Sequence, residues 1–340
     1  MISAHAWVIL LSMSLAQVQF PVRIRSTGHA LLGHSVSTRD LVTKNYPKLK
    51  YEEIISKTGI HTRHWTDRTT TFADQAVVAL EKALAKGNLE TAALKRLIFV
   101  SSSGGDALIP ATANHVLKKM GLHQTCACMD LNNACMGFLS AMDIAMRWVA
   151  SGVYPVAVVV SEKGTSMIDS SDPRPYLILG DGAVAVIFDR AENGEGVISS
   201  FLGNDPRFSE TVTMAHPNFT DKHELIHFND SNSTISKIAM EVLGISVRHV
   251  LTEGKLSIDQ IHWAALHQPN SVLFKKMTEF LEISEKKTLL VSHRIGSLGA
   301  ASVAFNIDFL FDEKKPALGE LLLICGVGSG LSYGAFVYQC

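Results

Sequence analysis

The stretch Asp130-Leu131-Asn132-Asn133-Ala134-Cys135-Met136-Gly137-Phe138 constrains this chain more than any other. Apolar and small residues from Cys126 to Leu131 predict a buried strand, and apolar residues after Gly137 recur at helical spacing through Met146. Cys135 therefore sits where a strand turns into a helix. A helix N-terminus offers unpaired N–H groups and a partial positive charge, which favour thiolate over thiol and can hold an oxyanion. The competing reading is a core cysteine, because free Cys is among the most buried residue types.

Two later segments bear on that choice. Ala264-Ala265-Leu266-His267-Gln268-Pro269-Asn270 puts a histidine at the end of an apolar strand, and Gly326-Val327-Gly328-Ser329-Gly330-Leu331-Ser332-Tyr333-Gly334 is a glycine-rich turn after the strand Leu321–Cys325. The rest of the first half alternates strand and helix: a strand at Val22–Ile24, loop and short helix from Gly28 to Asn45, a helix over Thr71–Ala85, a strand over Leu97–Ser101, a helix over Thr112–Met120 and a buried strand over Pro155–Ser161. Alternation of this kind predicts a parallel sheet covered on both faces. Gly180-Asp181-Gly182 reads as a turn whose aspartate bonds to backbone, and Gly203 to Ser231 as polar loops. The second half repeats the order of the first, with helices at Thr234–Glu253, Val272–Leu281 and Gly299–Phe311 and strands at Ile261–Leu266, Leu321–Cys325 and Ala335–Tyr338.

With 340 residues, 47% hydrophobic and 19% charged, the chain can bury a large core, and a formal net charge of −1 gives no general attraction for nucleic acid or anionic membrane. Five scattered cysteines suggest neither a disulfide framework nor a zinc site, so a reducing, cytoplasmic setting is expected. His216, His223 and His227 lack the spacing and partners of a metal site, and none is expected. Ala6 to Ala16 is apolar like a signal-peptide core, but no Lys or Arg precedes Arg23 and the run is too short to span a bilayer. Residues 1–21 are read as an extension outside the fold, 22–200 as a half carrying Cys135, and 201–340 as a half carrying His267 and Ser297.

Asn-Ala-Cys-Met-Gly-Phe, His-Gln-Pro-Asn, Gly-Ser-Leu-Gly-Ala-Ala-Ser and the late glycine turn together resemble, in order, the signatures of the 3-oxoacyl-[acyl-carrier-protein] synthase III family, over nearly the whole chain from Val22. The resemblance implies a thiolase-like α/β fold, two similar βαβ halves packed in five layers, α-β-α-β-α. It implies an acyltransferase that loads an acyl group from acyl-CoA onto Cys135 and condenses it decarboxylatively with malonyl-carrier protein, in fatty acid biosynthesis. Coenzyme A enters as part of a substrate, and no separate cofactor is implied. His267 is the family's second catalytic residue, and the backbone N–H groups of Cys135 and Ser329 its oxyanion pair.

The family's third residue is an asparagine that helps the histidine stabilise the enolate; here Ser297 stands in its place, with one shorter donor. That departure keeps open a non-decarboxylating acyl transfer in secondary metabolism, and a non-catalytic subunit is a third reading. By the same resemblance Ile109 would reach the end of a partner subunit's pocket, making a homodimer, and Arg174 and Asn270 would contact substrate. Tyr51 to Ile60 resembles the family's coenzyme A segment, with Glu53 where relatives carry a stacking tryptophan. Lys275 and Lys276 offer a face for an acidic carrier protein or simply a solvated helix.

Overall fold

The structure, a computed structural model, describes residues 18–124, 126–219 and 225–340. Its first sheet holds β1 (Val22–Ala30), β2 (Arg96–Val100), β3 (Ala127–Leu131), β4 (Val156–Lys163) and β5 (Asp181–Arg190), in the spatial order β1-β5-β4-β2-β3. Its second holds β6 (Gly196–Asn204), β7 (Trp263–Leu266), β8 (Leu321–Gly328) and β9 (Ser332–Gln339), in the order β7-β8-β9-β6. Read from the other edge, the second order is the first without its outermost strand.

Strand directions repeat as well. β2 runs parallel to β3 and β4, whereas β5 is antiparallel to both β4 and β1. β7 and β8 are parallel, whereas β9 is antiparallel to β8 and β6. The sheets are thus mixed rather than parallel. In the second half the cause is local: only Ser329–Leu331 joins β8 to β9, far too short for a crossover helix.

Three apolar cores stack the layers. Helices α1 (Phe72–Lys86) and α2 (Thr112–Lys119) cover the outer face of the first sheet through Ala76, Leu80, Val116, Leu97 and Phe99. Helices α3 (Gly137–Ala150) and α6 (Ala301–Glu313) fill the space between the sheets, where Phe138, Met142 and Phe305 meet Val158 on one side and Ile324 on the other. Helices α4 (Asn232–Gly254) and α5 (Ser271–Phe280) close the second sheet through Leu243, Val247 and Met277. The result is the five-layered α-β-α-β-α arrangement of the thiolase-like fold. No helix among the described residues is long and apolar enough to cross a membrane.

Several boundaries differ from the sequence reading. β6 begins at Gly196, so residues 196–200 belong to the second sheet, and Gly203 and Asn204 are strand rather than loop. The fold also starts before residue 22. Gln19 and Phe20 donate their N–H groups to Val197 O, and Val197 donates to Phe20 O, so this part of the expected extension is an added edge segment. The apolar run at 6–16 and His223 lie outside the described residues. Among the described residues no group of His, Cys, Asp or Glu is placed to hold a metal ion.

Asp181 and Gly182 are already strand, not turn. The fully buried Asp181 carboxylate accepts from the N–H and hydroxyl of Thr66 at 2.8 and 2.7 Å and from those of Thr165 at 2.9 and 2.8 Å. Asp181→Ala leaves these four donors buried without an acceptor. We expect it to cost about 3 kcal/mol or more of stability, read as a lowered urea midpoint at unchanged slope. A loss below about 1 kcal/mol would mean that water replaces the carboxylate.

Candidate active site

After β3 the chain folds back on itself before α3 begins. Asn132 Oδ1 accepts from Ala134 N at 3.0 Å, and Ala134 adopts a left-handed φ of 43°. Met136 is the N-cap and Gly137 the first helical residue, so Cys135 stands just ahead of the helix. The backbone N–H groups of Cys135 and Ser329 lie beside the thiol and favour its anion. Burial and, next, the nearby Glu162 carboxylate outweigh them and push the Cys135 thiol up to about 12. The expected resting thiolate is therefore a thiol: an apolar cavity and a neighbouring acid win over the helix end.

Ser329 comes from the turn between β8 and β9, and close approach of that turn depends on Gly328. A Cβ there would lie 2.9 Å from Met136 N, 3.1 Å from Cys135 N and 3.2 Å from Cys135 Cβ. Backbone atoms cannot yield as a flexible side chain would, so Gly328→Ala should pull the two N–H donors apart. We expect acyl loading of Cys135, followed by intact mass, to slow on the order of 10², the scale for losing one oxyanion donor. An unchanged rate would show that the N–H pair is not needed for loading.

His267 follows β7, donating its backbone N–H to Cys325 O at 3.0 Å. Its Nδ1 is buried without a hydrogen-bond partner among the described residues, and burial pushes the imidazole down to about 4. At neutral pH it is an uncharged ring with one N–H and one lone pair to offer. Gln268 fixes the turn beneath it: its side chain accepts from the N–H groups of Val291 and Ser292 and donates to Leu289 O.

Ser297 is held by backbone alone, donating to Ile178 O at 2.8 Å and accepting from Gly180 N at 3.1 Å. Gly296, at φ 80°, supplies the left-handed step before it. Cys135, His267, Ser297 and Ser329 all line one cavity of about 450 Å³. Its far wall is apolar, with Met167, Phe208, Met214, Ile226, Phe228 and Ile235 among the side chains.

Glu162, at the end of β4, lines the same cavity and was not picked out from the sequence. Only 1% of it is exposed. Oε1 accepts from Ser102 N at 2.8 Å and Ala300 N at 3.2 Å. Burial pushes its carboxyl up to about 7 against these donors, helped by the charge of Asp181. The only sequence signal was an acidic residue closing a run of buried apolar ones, a pattern that fits a strand end equally well.

Two residues expected to contact substrate, Asn270 and Arg174, do not line this cavity. Asn270 is the N-cap of α5, its side chain accepting from Leu273 N at 2.8 Å, while Pro269 and Leu273 on either side do reach the cavity. Arg174 donates to the carbonyls of Phe228 and Asp230 and so braces a wall residue from behind. Ile109 is 90% exposed and lies away from the cavity of its own chain. The other cysteines also have raised pKa values, about 11 for Cys126 and about 12 for Cys325 and Cys340. Cys135 is distinguished among them by its two N–H donors and its place on the cavity, not by acidity.

Five layers, duplicated half-sheets and reactive groups that each follow a strand, Cys135 after β3 and His267 after β7, define a thiolase-like acyltransferase. Residues 129–206 match the family model for 3-oxoacyl-[acyl-carrier-protein] synthase III, and residues 251–340 match the model for its C-terminal part. The chain belongs to this synthase III family. It is 28% identical over 288 residues to the beta-ketoacyl-[acyl-carrier-protein] synthase III of Blochmanniella floridana, an alignment covering 84% of this chain and 90% of that one. The solved 3-oxoacyl-[acyl-carrier-protein] synthase III of Aquifex aeolicus superposes with a TM-score of 0.85 at 25% identity, covering 94% of this chain and 100% of that one. OleA of Xanthomonas campestris shares the fold, with a TM-score of 0.85 at 20% identity over 95% of this chain and 99% of that one.

Proposed function

We propose that the protein is a condensing enzyme that takes an acyl group from acyl-CoA onto Cys135 and joins it to a malonyl unit on acyl carrier protein, releasing carbon dioxide. The observation that carries this reading is the pair of N–H donors, from Cys135 and Ser329, converging on Sγ at an apolar cavity that also holds His267. In loading, Sγ attacks the thioester carbon, the oxyanion rests on the two N–H groups, and the thiol proton passes to the departing coenzyme A sulfur. Coenzyme A leaves, and the acyl chain lies against the apolar wall. His267, uncharged, then donates to the thioester oxygen of the incoming malonyl group. Fatty acid biosynthesis is the natural setting for this chemistry, in a cytoplasmic homodimer whose Ile109, exposed on each subunit, meets the partner's pocket.

Ser297 in place of the asparagine favours a second reading, acyl transfer to an acceptor that need not lose carbon dioxide. One experiment separates them. Purified protein is incubated with acyl-CoA and malonyl-carrier protein, and acyl adduct, carbon dioxide and 3-oxoacyl product are followed together. Adduct with stoichiometric carbon dioxide and product supports condensation. Adduct without carbon dioxide favours simple transfer, and no adduct removes both readings.

A further inference from the structure

The cavity contains one acid that the scheme above leaves idle. Glu162 holds the Ser297 turn in place, because its Oε1 accepts from Ala300 N three residues beyond Ser297 and from Ser102 N on the facing loop. Gly299 is the residue that lets it come so close: at φ 44°, a Cβ there would fall 2.6 Å from Ser102 Oγ and 3.2 Å from the Glu162 carboxyl carbon. The second oxygen is different. Glu162 Oε2 is buried and has no hydrogen-bond partner among the described residues. A buried carboxylate oxygen left unpaired costs several kcal/mol, whereas a protonated one is a donor waiting for an acceptor.

We propose that Glu162, protonated on Oε2, donates the second hydrogen bond to the malonyl thioester oxygen, the role for which the Ser297 side chain is too short. This rests on the decarboxylative reading above. When the bond between the malonyl carboxylate carbon and the α-carbon breaks, its electron pair passes into an enolate whose oxygen is shared between His267 and Glu162. The α-carbon then bonds to the acyl carbonyl carbon, the bond to Cys135 Sγ breaks, and the thiolate departs with that pair. Glu162 lends its proton to a hydrogen bond and keeps it, so nothing is left over at this step. The Cys135 thiolate takes a proton from solvent and returns to the resting thiol, and in the following loading step the proton passes from Cys135 to the released coenzyme A thiolate.

The titratable groups around Glu162 are Cys135 before α3, Asp181 on β5 and His267 after β7. The nearby cations are spent elsewhere: Lys163 donates to the carbonyls of Asp67 and Thr70, and Arg63, behind Gly180 and Gly296, to those of Val36 and Leu177. With Cys135 pushed up to about 12 and His267 down to about 4, Glu162, at about 7, is the one of these three that changes charge between pH 6 and 8. Its proton is present below that value and lost above it, so decarboxylation should decline as pH rises through 7.

The test measures carbon dioxide release from malonyl-carrier protein and acyl loading of Cys135, from pH 5.5 to 9, in wild type, E162Q and E162A. The glutamine keeps an oxygen for Ser102 and Ala300 and a permanent donor for the substrate. We expect E162Q to retain decarboxylation within about tenfold at pH 6.5 and to lose the decline above pH 7. E162A should lose about 10²–10³ in decarboxylation with loading changed far less. Should E162A fail to fold, the E162Q profile decides alone. A decline that persists unchanged in E162Q, an E162Q as inactive as E162A, or a folded E162A with wild-type decarboxylation would each overturn the assignment while leaving condensation intact. A wild type that loads Cys135 but releases no carbon dioxide would instead overturn the decarboxylative reading, and this assignment with it.

Discussion

Replacing Cys135 with alanine is expected to abolish acylation by acyl-CoA, with no adduct appearing at Cys126, Cys128, Cys325 or Cys340. Attack by sulfur creates negative charge on the thioester oxygen, and a cysteine without aligned donors must bear that charge unaided. Only Cys135 has both its own N–H and that of Ser329 directed at it on the wall of the cavity. Cys325 and Cys340 are buried in the packed interior, and Cys126 and Cys128 sit at the outer edge of the first sheet. All three of the other strongly shifted thiols are held protonated by burial first, with nothing to offset it on the scale of two converging donors. Intact mass followed by peptide mapping reads the outcome directly. Labelling that survives in Cys135→Ala, or an adduct mapped to another cysteine, would remove Cys135 from the reaction.

The second large effect is expected from His267→Ala, which should depress turnover by about 10²–10⁴ and acyl loading by much less. With burial pushing the imidazole down to about 4, His267 is uncharged at neutral pH and offers a thiolate no ion pair. On the proposed reading its contribution is a hydrogen bond, most valuable when the enolate oxygen develops charge inside an apolar cavity. The two N–H donors on Cys135 Sγ remain after the substitution, so the first half-reaction keeps its main support. Rapid-quench measurement of adduct formation beside steady-state product release separates the two. Equal losses in both steps would assign His267 to deprotonating the thiol instead.

What could be read from the chain was governed by how local the causes are. The strand and helix start around Cys135 and the strand before His267 carry their own signals in apolar periodicity and lie within two residues of the expected position, whereas the glycine-rich turn shrinks to Ser329–Leu331 because its flanks are strand. β6 was missed because its outer half is exposed and its register is imposed by β9, more than a hundred residues later. Asp181 was recognised as structural, but as part of a turn; that Thr66 and Thr165 both converge on it depends on tertiary packing. Asn270, close to His267 in sequence, reads as a substrate contact, although an asparagine just before a helix has a ready local use as its cap. Glu162 was invisible for the opposite reason. Its burial, its two backbone donors and its unpaired oxygen come from Ser102 and Ala300, at the far ends of other elements.

The Ser329 hydroxyl donates to Val212 O at 2.5 Å, and Val212 belongs to the cavity wall. Leu331, two residues on, exchanges backbone hydrogen bonds in both directions with Asp205 on the same side. The Ser329 turn is therefore fastened to the cavity wall. On the proposed reading, an acyl chain that is too long or branched would press on Val212, and that displacement would pass through a single hydroxyl to the N–H that meets the oxyanion. Selection among acyl groups would then be exercised at the barrier to bond making, so a misfit substrate binds and saturates normally but reacts slowly, and its penalty falls on kcat rather than KM.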